Sequence, residues 1–348
     1  MQKAKINSAR LVMQSVAGMV RHPYMGGPYR ISHDGIAHVL PATGAITYNV
    51  KIGDSVYAME CDHVEPGVTV LNPDKAENAA FNTLSCVGNT AVVISGDAKG
   101  ARGFVTGTHG GVEHVICYFP ADALERMAIG DRIQVRAQGQ GMQIEGFERT
   151  VACMNLDPNL FEKMNISVED GKLIVPVAAR VPAYLMGSGV GSASSTSGDY
   201  DIMTADHDEI RLGLHKLRYG DFVLLEDCDT SFGRGYLGGA RTIGIVIHSD
   251  CIKMGHGPGV TTLLTSKTPV IEGRLDAGAN LADYMGVSRF RLCRVYGRTK
   301  AAGGNLPVSI RQRARPVTAI IGRVSIFMYW RLRHPRLPYV KGAVSEAA

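Results

Sequence analysis

Imidazole and carboxylate side chains recur in the glycine-rich turns of this sequence, in groupings whose residue types suit metal ligation or acid–base chemistry. The first is Thr108-His109-Gly110-Gly111-Val112-Glu113-His114. Two imidazoles and a carboxylate this close are ligand types for a divalent transition metal, zinc or manganese. Gly110-Gly111 blocks the helix that a histidine pair four residues apart would need, and the apolar run after His114 reads as a strand. Neighbouring side chains of a strand point to opposite faces, so Glu113 and His114 do not share a site, and His109 pairs with one or the other. A Gly-Gly hairpin with structural histidines is the plainer alternative.

The second grouping is Cys61-Asp62-His63-Val64-Glu65-Pro66-Gly67. Asp62 can orient the His63 ring, provided that a turn near Pro66-Gly67 brings the adjacent side chains together. The third is Ile247-His248-Ser249-Asp250-Cys251 with Gly255-His256-Gly257. His248 and Asp250 share a strand face, and His256 sits in a loop able to approach a ligand. Cys251 is more readily a small buried hydrophobe than a nucleophile. Lys267 is a candidate anion clamp, or else a solvated surface lysine. The fourth pairs Asp199 with Asp201 and Asp227 with Asp229; each pair shares a face if extended, and each also suits a turn. Arg234, between Gly233 and Gly235, reads as an exposed guanidinium suited to bidentate carboxylate recognition.

These residues need elements to position them. Short β-branched runs bounded by Gly, Asp, Asn or Pro predict strands at Ala45–Val50, Ser55–Met59, Gly67–Leu71, Thr90–Ser95, Gly103–Thr106, Glu113–Tyr118, Arg132–Ala137, Leu173–Val177, Phe222–Leu225 and Thr242–His248. Helices are fewer: Pro73–Leu84, Asp122–Met127, Pro158–Met164 and Ala205–Leu212, with a short leading helix over Leu11 to Val20. The fold class is α+β, β-rich, with small β-barrel-like modules and few helices. A Gly-Asp opening recurs at Gly53-Asp54, Gly130-Asp131 and Gly220-Asp221. Such pairs make tight turns before strands and need no internal duplication. The expected parts are a leading helix or arm over 1–21, a β-rich domain over 22–177, a second β-rich part over 178–297 holding a Gly/Ser-rich loop, and a basic tail over 298–348.

The 348 residues, 45% hydrophobic and 20% charged, exclude a disordered chain. The net charge of +5 divides unevenly. Residues 285–348 hold 13 Lys/Arg and one acid, +12, leaving 24 basic and 31 acidic side chains, −7, in the rest. An acidic body excludes a phosphate-tracking surface, so no nucleic-acid partner is expected. Seven dispersed cysteines without C-x-x-C fit reduced thiols and a cytoplasmic location.

Several runs together resemble an uncharacterised prokaryotic family, domain of unknown function 4438, from about residue 22 to about residue 295. They are Ile46-Thr47-Tyr48-Asn49-Val50, Asp62 to Gly67, Ser95-Gly96-Asp97-Ala98-Lys99-Gly100, His109 to His114, Gly198-Asp199-Tyr200-Asp201-Ile202, and His248 to Cys251 with Gly255 to Thr261. The resemblance implies a β-rich fold of this length and supplies no reaction. A looser likeness to acetamidase/formamidase-type amidases lies in Gly198-Asp199 and in Tyr219 to Tyr236. It implies amide hydrolysis, although the amidase metal-ligand pattern is incomplete here. The resemblance stops before the tail. The break in composition favours a segment foreign to the fold over an interfacial helix with basic flanks, the one route to membrane contact.

The reading that follows is a small-molecule enzyme, a metal-assisted hydrolase of a C–N bond. His109, His114, Asp62 and His63 would hold the cation. Asp199, Asp201, His248 and Asp250 would act in catalysis, and Arg234, Lys267 and His256 would bind substrate. A metal-free lyase or isomerase, and a non-catalytic binding or assembly protein, use the same residues differently. The distinguishing observation is whether the motifs around residues 62, 109, 199 and 248 meet in one pocket. A closed homo-oligomer is the expected assembly.

Overall fold

The computed structural model describes residues 2–204 and 208–288. The basic tail lies outside the described residues, as does part of the helix expected over Ala205–Leu212, of which Asp208–Arg211 is helical.

Six antiparallel strands close a barrel: β1 (Gln14–Val20), β2 (Gly67–Leu71), β3 (Thr90–Val93), β4 (Arg102–His109), β5 (His114–Tyr118) and β6 (Arg132–Ala137). Their order around the barrel is β1-β6-β3-β4-β5-β2, and β2 returns to β1 through Met19 opposite Leu71 and Val20 opposite Val70. Alternation builds it: Ile133, Val135 and Ala137 of β6 point inward, while Arg132, Gln134 and Arg136 do not. The interior is filled by Val68, Val70, Val105, Val115, Cys117 and Ile133, with Phe81 of the helix Lys75–Leu84 packed against them.

The leading helix expected over Leu11 to Val20 is corrected: this stretch supplies β1. Helical spacing of its apolar residues is outweighed by pairing with β6 along six residues and with β2 at the barrel seam, which satisfies its backbone groups from both sides. The strand expected at Ser55–Met59 is also absent, reduced to one bridge between Ser55 and Arg218.

The three Gly-Asp sites fold alike. Gly53, Gly130 and Gly220 take positive φ at 90°, 93° and 83°. Each following carboxylate accepts the N–H three residues back: Asp54 from Lys51, Asp131 from Ala128, Asp221 from Arg218. Only glycine adopts that φ without strain, and the carboxylate locks the turn. Two of the three lead into strands, at Arg132 and Phe222.

A second sheet holds β7 (Ala152–Cys153), β8 (Ala179–Pro182), β9 (Tyr200–Asp201), β10 (Phe222–Asp229), β11 (Gly235–Val246) and β12 (Gly259–Ser266). Its order is β7-β12-β11-β10-β8, with β9 paired to β12. The second half of β11 and all of β12 are buried, or nearly so, on both faces, as their near-continuous apolar and threonine runs require. Gln2–Lys3, Ser167–Glu169, Lys172–Val177 and Ile271–Leu275 make a smaller sheet beside it.

The end of β4 is stitched onto β12. Thr108 N–H donates to Thr261 Oγ1 at 3.2 Å, and that hydroxyl donates to Thr108 O at 3.0 Å. Gly107 permits the approach, since a Cβ there would run into the Ile247 side chain. A bulge between Val105 and Gly107 re-aims the strand end. The barrel hairpin at His109 to His114 is thereby pressed against the second sheet.

Candidate metal and substrate site

Four segments meet at this junction. The turn at Asp62–Glu65 is bolted to the loop after β11: Ser249 N–H donates to Val64 O at 3.0 Å, and Val64 N–H donates to Ser249 Oγ at 2.9 Å. His63 has φ 52°, a left-handed conformation rare for a bulky residue. Such strain persists where the surroundings enforce it, and functional sites are its usual place. That turn brings the adjacent side chains together, with Asp62 Oδ1 2.8 Å from His63 Nδ1.

His109 ends β4, and Glu65 Oε1 lies 2.6 Å from its Nδ1. Glu65 is wholly buried. Burial pushes its carboxyl up, but His114 and His109 outweigh that and hold it well below the usual range. His248 Nδ1 is 2.8 Å from the Ser249 carbonyl, and the Gly259 N–H also approaches it, at 3.3 Å. The carbonyl contact is the shorter and can only accept, so it fixes the proton on Nδ1. Each of the three rings is thus tied through Nδ1 by a backing acceptor, which leaves Nε2 as the ligating atom. Outer partners of metal-bound histidines do this, setting tautomer and ring orientation. His63 Nε2 lies 3.1 Å from His256 Nδ1. His109 and His248 stack with ring centroids 4.4 Å apart, and His63 and His248 lie 4.9 Å apart.

β9 brings the carboxylates. Asp201 sits opposite Gly259, and Asp199 Oδ1 accepts the Gly110 N–H at 2.8 Å. Asp199 Oδ2 is 2.9 Å from His248 Nε2, and Asp201 Oδ1 is 3.5 Å from the same nitrogen. Asp201 Oδ2 lies 3.7 Å from His63 Nε2 and 3.0 Å from His256 Nδ1. Despite these short separations, His248 Nε2, Asp199 Oδ2 and Asp201 Oδ2 are all buried and lack an aligned hydrogen bond. Close approach without good hydrogen-bond alignment is compatible with donors that share a common partner. Ligands about 2.1 Å from one cation stand about 3.0–3.4 Å from each other, by the geometry of octahedral and tetrahedral shells. His63, Asp201 and His248, and separately His109, Asp199 and His248, are arranged so that they could hold a metal ion.

These groups act on one another electrostatically. Burial disfavours the His248 imidazolium, but Asp199 and Asp201 outweigh it and raise its pKa well above the usual value. Burial likewise opposes ionisation of Asp201, and His248, His256 and His63 hold its carboxyl well below the usual range.

A cavity of about 460 Å³ opens onto this cluster, walled by His63, His109, Asp199, Asp201, His256 and the Gly/Ser-rich loop. The motifs around residues 62, 109, 199 and 248 therefore converge. Asp62 and His114 stand behind the cluster, Asp62 against His63 and His114 Nδ1 3.2 Å from Glu65. Asp250 accepts from Thr204 and from the Cys251 N–H, and so shapes the loop. Lys267 lies elsewhere, near Asp229 and over the Phe232 ring. Asp227 is the bulged residue of β10, at φ 56° and accepting the Gly239 N–H, while Asp229 closes a turn on Ser231. Arg234 is not exposed as its flanking glycines suggest. It is 5% exposed in the cavity wall, since its N–H and C=O pair with Ser192 and Gly191 of the Gly/Ser-rich loop. Glu65 is a site residue that the sequence motifs do not single out, although its two-residue spacing from His63 is a usable signal.

Two family profiles match end to end: "Domain of unknown function (DUF4438), N-terminal" over residues 29–162 and "Domain of unknown function (DUF4438), C-terminal" over residues 163–285. A solved structure titled "Crystal structure of TM1086" is similar, at 46% identity and a TM-score of 0.78, covering 81% of this chain and 99% of that one. No curated protein matches, and the amidase likeness finds no support in these comparisons. The chain belongs to the DUF4438 family.

Proposed function

From membership of a family without an assigned reaction, we propose that this chain is a metal-assisted hydrolase of a C–N, amide-like bond in a small molecule. The observation that carries the reading is the convergence of His248 Nε2, Asp199 Oδ2 and Asp201 Oδ2, buried and without aligned hydrogen bonds, with Asp199 and Asp201 in the wall of a cavity and His248 directly behind them. Most buried polar atoms find a hydrogen-bond partner, and these three differ from the other unpartnered ones here in facing one another across about 3 Å. His63, His109, His248, Asp199 and Asp201 would hold the cation. A bound zinc or manganese ion would supply Lewis acidity toward a carbonyl oxygen and lower the pKa of water.

The remaining steps belong to the chain's own residues. His256 reaches the cavity and has its Nδ1 3.0 Å from Asp201 Oδ2, so its imidazole is placed to take a proton from the attacking water and deliver it to the leaving nitrogen. Hydroxyl adds to the carbonyl carbon, the C–N bond breaks, and the amine leaves with that proton. Glu65 and Asp62 keep His109 and His63 oriented.

The competing reading is metal-free acid–base catalysis, supported by the raised His248 imidazolium between two carboxylates. Metal analysis separates the two. Purified chain should retain or rebind close to one zinc or manganese per chain and hydrolyse members of a small-amide panel. Activity should be lost on chelation and return with metal. Metal below about a tenth per chain, with unchanged thermal stability after chelation, would sink the metal reading.

A further inference from the structure

The most unbalanced charge in the cavity is Arg234. Its guanidinium is buried, yet among the described residues no carboxylate lies within ion-pair distance of it. Nη2 donates to Ser197 O at 2.8 Å, Nε has no partner, and the Tyr200 ring face stands 5.5 Å away. Burial pushes its pKa down, with Asp199 and Tyr200 opposing from a distance. A buried cation without a counter-charge is costly, and arginine is rarely left in that state unless something else supplies the anion.

Two other cations face the same space. Arg30 is committed, its Nε paired with Asp62. Lys253, half-buried in the wall, makes no ion pair among the described residues. The cavity thus presents a carboxylate and imidazole cluster at one part of its wall and, at another, positive charge that Asp199, Asp201 and Glu113 oppose only from beyond ion-pair distance. A substrate with its reacting carbonyl at the cluster and an anionic group on Arg234 would satisfy both.

We infer that the substrate carries a carboxylate bound by Arg234, with Lys253 as a second cation. This rests on the cavity being the reaction site proposed above. A planar carboxylate matches the guanidinium fork, which can donate two parallel hydrogen bonds. A phosphate dianion would meet Asp199 and Asp201 across the same cavity with twice the repulsion.

Titration calorimetry on the full chain tests this with succinate as probe and inorganic phosphate as contrast. Both the chelated, desalted protein and the zinc-loaded protein are used. Succinate should bind the unaltered chain, and Arg234→Gln should weaken it at least about tenfold. Arg234→Lys should retain part of the affinity, and circular dichroism should show both variants folded. Arg234-dependent binding in the chelated protein supports the inference even if the metal reading fails. Succinate binding that needs zinc and ignores Arg234 overturns it while leaving the metal reading standing. Absence of succinate binding in both forms, or tighter binding of phosphate, also overturns it.

Discussion

Glu65 Oε1 stands 2.6 Å from His109 Nδ1 and 3.2 Å from His114 Nδ1, one buried carboxylate gripping two rings of the same hairpin. Only His109 goes on to face the cavity. Glu65→Gln keeps the shape but removes the charge that sets the ring's proton. Metal affinity should fall about 10–100-fold, the usual cost of losing such an outer partner. Competition with a chromophoric chelator measures it, and unchanged affinity would detach Glu65 from the site.

The two histidines of that hairpin should separate by readout. His248→Ala or His109→Ala should abolish tight metal binding. His114→Ala should leave binding nearly intact while lowering stability by about 1–3 kcal/mol, because a buried ring is lost and Glu65 loses a partner. Urea unfolding beside metal titration distinguishes them. Loss of metal in His114→Ala equal to that in His109→Ala would contradict the placement of His114 behind the cluster.

Gly259 lies where a Cβ would collide with both Asp199 Oδ2 and His248 Nε2. Gly259→Ala should therefore cost about 1–3 kcal/mol and displace the two ligand atoms together. A zinc-induced rise in melting temperature, expected for the unaltered chain, should be absent in this variant.

Acid stability should carry the mark of Asp62. Burial raises its carboxyl, but the hydrogen bond from His63 and the nearby Arg30 outweigh that and bring it down to about 2, from an ordinary 3.8. A depressed acid stabilises the fold above its unfolded value, and that contribution disappears as pH falls from about 4 through about 2. In chelator-treated protein, Asp62→Asn should be less stable than the parent at neutral pH and should lose less between pH 4 and 2. Parallel acid-unfolding curves would rule this out.

Strands with strict alternation are legible in the sequence itself. Gly67–Leu71 and Arg132–Ala137 form with the bounds expected. β1 is not legible in this way, because its identity as a strand comes from β6 and β2, more than a hundred and about fifty residues away in sequence. Tertiary pairing overrides a local helical pattern there. At the site, residue types and turn glycines point to His63, His109, Asp199, Asp201, His248 and His256, which the fold brings together. Roles that depend on a partner across the chain are not readable from local pattern. Glu65 meets His109 44 residues away, and Arg234 is buried by its pairing with the Gly/Ser-rich loop.

The way β1 closes the barrel has a practical consequence. Trimming the first twenty residues as a dispensable arm would leave β6 as a raw edge with a row of unpaired N–H and C=O groups, and would uncover the Val70–Leu71 end of β2. Open edges of this kind recruit other chains, so such a truncation should yield aggregates rather than a smaller working protein.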